Sequence, residues 1–429
     1  MPTCKPARVS APRHGRTRSA RARLASLLLL VLLAIPAVVH ADDPATLRVG
    51  TSGDYAPFSL ADEDGALAGF DIELARRYAK DRGLAIEFVR FRWRKLLDGL
   101  ASDRFDVAMS GITVRPERSA AGVFTVPVLE TGAVALVRQH TRTEVAQLDR
   151  QGLRIAVNAG GHLERVARAR FPRATVIAIP DNASVLAALR DENVDAVVTD
   201  SVEARLWLVE EPELIPLGPF TRDRKALLVN ARRPELATDL DQWLLDREAD
   251  GGLAALRKEY LGEGPWRPLA EPLTALLAAV DERLSLMPLV AVVKRETGVP
   301  LEVPEREGLV IEAAATTMLE AAKERDVVPP SYLTIQQFFR AQLEAAKQVQ
   351  RDAVKNPPER DDGELPDLDE TLRPALLRIG ARIARLLVRL PAGTELETVR
   401  ASAKEELREP LLAESYRRGI IEAIPALAD

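Results

Sequence analysis

Apolar residues follow two different rhythms along this chain. From Leu47 to about Leu261, short apolar or β-branched runs ("LRVG", "AIEFVRF", "DVAMSGI", "RIAVN", "TVIAIP", "DAVVTD") alternate with stretches of helical spacing such as "FDIELARRYAKDRG" and "NASVLAALRDENV". Buried strands alternating with helices predict an α/β fold with mostly parallel sheets. From Pro272 onward no convincing strand follows. "LTALLAAVDERLSLMPLVAVVK", "GLVIEAAATTMLEAAKE", "YLTIQQFFRAQLEAAKQVQRDAV" and "LRPALLRIGARIARLLVRL" place apolar residues at helical spacing, which predicts an all-α region. The Gly- and Pro-rich stretch "GEGPWRPLAEP" separates the two rhythms, and "KNPPERDDGELPDLD" interrupts the helical part. The expected organisation is multidomain: α/β over 42–262, a linker at 263–271, and helices over 272–429.

The first 41 residues obey neither rhythm. Seven Lys or Arg and no acid precede Leu24, and an apolar run to Val39 leads into Val39-His40-Ala41. A basic start, an apolar run of about 16 residues and a small-x-small site read as a cleaved signal peptide at 1–41. The run is short for a span of about 20 residues. Export to the periplasm is the expectation, with no membrane attachment after cleavage.

Removing seven positive charges from a chain at −5 leaves the remainder near −12. That balance argues against nucleic acid as a partner, and any anionic ligand must meet a local basic site. The single cysteine, Cys4, leaves with the signal, so the exported part has no disulfide or thiol chemistry. With two of the four histidines also lost, no metal site and no cofactor are expected. The chain leaves a homo-oligomer open.

In α/β folds ligands sit beyond the carboxyl ends of strands. Asp54 and Tyr55, Ser110, Asn158 and Asp200 occupy such positions. There the motifs "GTSGDYAPFS", "AGFDIELA", "RFDVAMSGITVRPERS", "VNAGG", "IPDN" and "TDSVEARL" resemble, in order and spacing over some 200 residues, the two-lobed periplasmic solute-binding proteins for polar amino acids. The resemblance implies lobe one at 46–135 plus 226–262 and lobe two at 136–225. It implies Arg118 as the residue that holds a ligand carboxylate, a role suited to the guanidinium fork. It also implies Trp93, Tyr55 and Phe58 as apolar walls, with Ser110, Asn158 and Asp200 among the binding residues. Within this group, "DSVEARL" is most similar to a catalytic branch, the cyclohexadienyl dehydratases, which convert prephenate to phenylpyruvate or arogenate to phenylalanine.

That branch gives Glu203 a role as general acid, and the chemistry calls for one. The ring hydroxyl leaves as CO₂ departs, and hydroxide is a poor leaving group without a positioned proton donor. A helix start favours the ionised carboxylate, whereas desolvation and a dianionic substrate favour the protonated one. His162 departs from the pattern, standing where the family usually places a small hydroxyl residue, and is an added candidate for contact with substrate.

The helical half, through "ERLSLMPLVAVVK", "PEREGLVIEAA", "FFRAQLEAAKQVQ" and "LRPALL", resembles the secreted all-helical chorismate mutases. The reaction of that family is an intramolecular rearrangement that needs no metal or proton transfer. Orientation and charge stabilisation at the ether oxygen are what a protein can supply. The resemblance implies Arg283, Arg306 and Arg373 on carboxylates, Lys294 and Gln350 at the ether oxygen, and Glu307 at the substrate hydroxyl. Arg283 and Lys294 lie eleven residues apart, roughly 16 Å along a helix, with a kink predicted at Pro288. Gln342, Ala346 and Gln350 share one helix face.

Three readings follow. The first is a bifunctional exported enzyme taking chorismate through prephenate to phenylpyruvate. The second is a transport-type binding protein for amino acids or organic anions with a helical partner module. The third is a mutase whose other half only captures ligand.

Overall fold

The computed structural model describes residues 45–139, 144–357, 364–424 and 427. The expected signal peptide at 1–41 lies outside the described residues.

Two five-stranded sheets form the two lobes. In the first, Ala85–Arg90, Thr46–Thr51 and Val107–Ala108 run parallel, Leu228–Asn230 pairs antiparallel with Val107–Ala108, and Gly122–Phe124 pairs antiparallel with Leu228–Asn230 at the edge. The runs read as buried strands are buried for the expected reason: Val49, Val107 and Ala108 are fully enclosed between helices on both faces. In the second, Thr175–Ile179, Arg154–Asn158 and Ala196–Asp200 are parallel, and Ala133–Arg138 and Leu214–Leu217 lie antiparallel.

The chain passes between the lobes as an antiparallel pair, Leu129–Thr131 with Asp223–Lys225. This crossing begins a few residues before the boundaries drawn from sequence. Ala133 already pairs with Asp200 in the second sheet. A uniformly apolar run such as "GAVALVRQ" gives no local mark of where one sheet ends and the next begins.

Beyond Pro272 the described residues are mainly helical, with helices Pro272–Ser285, Met287–Thr297, Pro304–Glu324, Tyr332–Lys355, Arg373–Leu387, Leu396–Glu406 and Glu414–Ala423. At the predicted kink the chain ends one helix and starts another: Ser285 closes the first, and Pro288 sits in the opening turn of the second. Proline suits a first turn because its missing N–H would have no helical partner there. Helix Pro272–Ser285 is buried from Thr274 to Leu284, an all-round burial that marks it as the central element of the region.

The segment between the two halves is not a free tether. Leu269 and Ala270 are buried, and the Ala270 amide donates to Glu248 at 3.2 Å. The guanidinium of Arg205 stacks 4.8 Å from the Trp266 ring. Val126 and Leu129 of the α/β half share one apolar cluster with Ala275, Leu276 and Ile383 of the helical half.

Candidate functional site

The first candidate site is the cleft between the lobes. Lobe one supplies Tyr55, Trp93, Gly111, Thr113 and Arg118 to its lining. The aromatic wall is tightly built: Tyr55 meets Trp93 edge-on at 5.7 Å and Phe58 at 5.0 Å. Gly111 must be glycine, because its φ is +62° and a Cβ would lie 2.8 Å from the Tyr55 ring. Its amide donates to the buried Asp71 carboxylate at 2.5 Å. Burial pushes that carboxyl up to about 7.

Arg118 lines the cleft. It is buried, its Nη1 donates to the Thr113 carbonyl at 3.0 Å, and its guanidinium lies 6.0 Å from the Trp93 ring. Desolvation, and then neighbouring Arg115, lower its pKa to about 9, so it stays charged at neutral pH. A buried cation that meets a carbonyl and a ring, with no carboxylate bonded to it among the described residues, is complementary to an incoming carboxylate.

Lobe two contributes Asn158, Gly161, His162, Leu163 and Asn182. Asn158 ends strand Arg154–Asn158, and its buried Nδ2 has no hydrogen-bond partner among the described residues. Gly161 to Leu163 open helix His162–Arg170, so backbone N–H groups face the cleft with the positive end of the helix behind them. His162 Nε2 lies 3.0 Å from Asp223 Oδ1. Burial outweighs that carboxylate and lowers the imidazole pKa, which leaves the ring neutral near neutral pH.

Three of the predicted residues stand behind this lining. Ser110 is fully buried and bonds Ser52, with Oγ to Oγ 2.8 Å. Asp200 Oδ1 caps helix Ser201–Glu210 by accepting from the Val202 amide at 2.8 Å. Its Oδ2 lies 3.1 Å from Lys225 Nζ. Glu203 is 2% exposed. Its carboxylate accepts from Asn182 Nδ2 at 2.6 Å and from Thr199 Oγ1 at 2.5 Å. Desolvation raises its pKa to about 8 against those two hydrogen bonds, with Asp200 and Asp54 adding to the rise. It is thus a proton-carrying group one residue behind the cleft wall, screened by Asn182.

The lobes are closed on each other. Asn182 also donates to the Asp54 carbonyl at 3.1 Å, and Arg165 pairs with Glu117 at 2.6 Å, both across the cleft. Asn182, Thr113 and Lys225 were missed in the sequence. Asn182 ends the quoted "IPDN" and Lys225 sits at a predicted crossing, so position alone could have nominated both.

The second candidate site lies within the helices. All six residues named from the sequence line one pocket: Arg283, Lys294, Arg306, Glu307, Gln350 and Arg373. They come from five helices, with Arg283 at the end of Pro272–Ser285 and Gln350 on Tyr332–Lys355. Arg283 Nη1 and Gln350 Oε1 are buried with no hydrogen-bond partner among the described residues, so each is a donor or acceptor available at the pocket. Desolvation lowers Arg283 to about 10, still cationic. Lys294 Nζ donates to the Leu301 carbonyl at 2.7 Å. Burial first, then Arg373 and Arg306, lower its pKa. Arg306 and Arg373 share Asp369, and Glu307 pairs with Lys347 at 3.3 Å. Lys347 also lines the pocket and was not anticipated. Ala346 lines it beside Gln350, whereas Gln342 is buried with neither amide atom bonded.

The model of the bacterial extracellular solute-binding proteins, family 3, matches residues 47–263. The cyclohexadienyl dehydratase of Pseudomonas aeruginosa is 37% identical over 230 residues, spanning 52% of this chain and 85% of that protein. An L-cystine-binding protein of Escherichia coli is 28% identical over 221 residues, 51% of this chain and 83% of its own length. A solved ancestral amino-acid-binding protein, described as a precursor of cyclohexadienyl dehydratase, is 31% identical with a TM-score of 0.48, covering 51% of this chain and 96% of its own. The family match ends before the helical region begins.

Proposed function

This chain belongs to the bacterial extracellular solute-binding proteins, family 3, and from that premise we propose that it is an exported bifunctional enzyme that takes chorismate to prephenate and prephenate to phenylpyruvate. The likeness to cyclohexadienyl dehydratase supports the second step. The observation that carries it is the buried Glu203, its pKa raised to about 8, held by the lining residue Asn182 just behind the wall of a closed, cationic cleft. In the dehydration Glu203 protonates the departing ring hydroxyl. The C–O bond breaks to give water, the ring carboxylate leaves as CO₂, and its bonding pair completes the aromatic ring. One proton is consumed and returns to Glu203 from solvent. Arg118 holds a substrate carboxylate, and Asn158 and the helix start at Gly161–Leu163 meet the other.

The helical pocket performs the first step in this reading. Its support is the convergence of Arg283, Lys294, Arg306, Glu307, Gln350 and Arg373 on one cavity. The ether C–O bond breaks as a C–C bond forms within the same molecule, and no proton moves. Lys294 and Gln350 meet the charge that grows on the ether oxygen, while the arginines hold the carboxylates in the compact conformer.

The second reading, a binding protein without chemistry, draws on the cystine-binding relative. Incubating the purified protein with chorismate and separating products over time decides between them. Prephenate followed by phenylpyruvate is the expected course. Chorismate returned unchanged overturns the mutase step, and supplied prephenate returned unchanged overturns the dehydratase step.

A further inference from the structure

We infer that Lys225 makes the interlobe cleft selective for a dicarboxylate that carries no ammonium group, with Asp200 serving Lys225 and not the ligand. This inference deepens the dehydratase reading by choosing between its two substrate types.

Lys225 ends the crossing strand Asp223–Lys225 and reaches into the cleft. Its ammonium is held from several sides: 3.1 Å from Asp200 Oδ2, 3.0 Å from Thr113 Oγ1 and 3.4 Å from the Tyr55 hydroxyl. It also lies 5.4 Å from the Tyr55 ring and 5.7 Å from that of Phe58. Asp200 is 0% exposed, and its other oxygen is committed to the Val202 amide. It therefore has no open side to offer a ligand.

The lining that remains is one-signed. Arg118 and Lys225 are its charged side chains, and no carboxylate is among the lining residues. The start of helix His162–Arg170 adds a partial positive charge. A ligand ammonium entering here would face two cations and a helix N-terminus. It would reach Asp200 only by displacing Lys225 from a buried ion pair, which leaves one charge unpaired, and Asp223 stands behind the lining, 3.0 Å from His162 Nε2. A keto oxygen or a carboxylate in the same place accepts from Lys225 directly.

Prephenate and arogenate share one skeleton and differ at this group, keto in the first and ammonium in the second. Their dissociation constants can be measured by calorimetry in the full-length Glu203→Gln protein, where turnover does not interfere. Prephenate is expected to bind about 10- to 100-fold more tightly, the range of one charge-assisted hydrogen bond. Lys225→Met should collapse or invert that ratio, because prephenate loses its donor while Asp200 becomes accessible to an ammonium. Asp200→Asn keeps the helix cap and should leave the ratio of the two dissociation constants unchanged, with neither ligand singled out. The inference is overturned if arogenate binds as well as prephenate before Lys225 is changed, or if Lys225→Met leaves the ratio unmoved. A selective loss of arogenate binding in Asp200→Asn also overturns it, and this arm holds even where Lys225→Met does not fold. Failure of the dehydratase reading shows separately, as absence of turnover in the protein that retains Glu203.

Discussion

Arg224 in the crossing strand and Asp281 in the central helix of the helical region form a buried ion pair at 2.7 Å. Arg224 also pairs with buried Glu406 at 2.9 Å. Asp281 accepts the Glu409 amide at 2.8 Å through its other oxygen. The residues on either side of this pair face the two candidate sites: Lys225 lines the cleft and Arg283 lines the helical pocket. Arg382 reinforces the junction by pairing with Glu282 and donating to the Phe124 carbonyl. The helical region therefore grips the segment on which the lobes would move.

Removing Asp281 takes one of two carboxylates from buried Arg224 and leaves the Glu409 amide without its acceptor. Asp281→Ala is expected to lower stability by about 1.5–3 kcal/mol, the range of a hydrogen bond to a charged group, read from the midpoint of denaturant unfolding. A fragment covering 45–264 should unfold at lower denaturant than the intact chain, because Val126 and Leu129 lose apolar partners in the helical half. Equal midpoints would show that the α/β half is independent of the helices.

Glu203→Gln keeps the size and hydrogen bonding of the side chain but carries no transferable proton. Given chorismate, this variant should accumulate prephenate while the mutase step continues. In the parent protein the dehydratase rate should fall as pH passes about 8 and Glu203 ionises. Phenylpyruvate formed at the parent rate by Glu203→Gln would remove Glu203 from the chemistry.

The same group sets a pH dependence of stability. Its folded pKa of about 8 lies above the ordinary carboxylate range, so the folded chain binds more protons than the unfolded chain between the two. Stability must fall as pH climbs through that interval, with the full penalty present above about 8. Glu203→Gln should remove this penalty. Its melting temperature relative to the parent should therefore be higher at pH 9 than at pH 5.

Arg118→Ala removes the guanidinium fork without touching Glu203. Prephenate affinity should drop about 10- to 100-fold by calorimetry, separating capture from proton donation.

Lys294→Ala should slow the rearrangement of chorismate by a barrier increase of about 3–4 kcal/mol, the usual loss when one preorganised donor is removed. Turnover of supplied prephenate should persist. Loss of both activities together would point to unfolding.

Periodicity alone determined the α/β half, the helical half and the point where one gives way to the other, because it reports which face of an element is buried. In the helical half, Ala346 and Gln350 on Tyr332–Lys355 share a face by helix geometry, and the fold brings the six side chains named from the motifs to the lining of one pocket. What periodicity does not carry is the identity of a partner across space. Lys225 meets Asp200 because two sheets close on one another. Arg224 meets Asp281, 57 residues away, and Arg382 meets Glu282 across 100, because the helices pack on the crossing strand. The "GEGPWRPLAEP" stretch reads as a loose linker from composition, yet Leu269 and Ala270 are buried between the halves it joins. Glu203 shows the division most sharply. The sequence placed a carboxylate in the first turn of a helix, where the local dipole favours its ionised form. Only burial beneath the closed lobes, away from water and near Asp200 and Asp54, reverses that preference and keeps its proton in place.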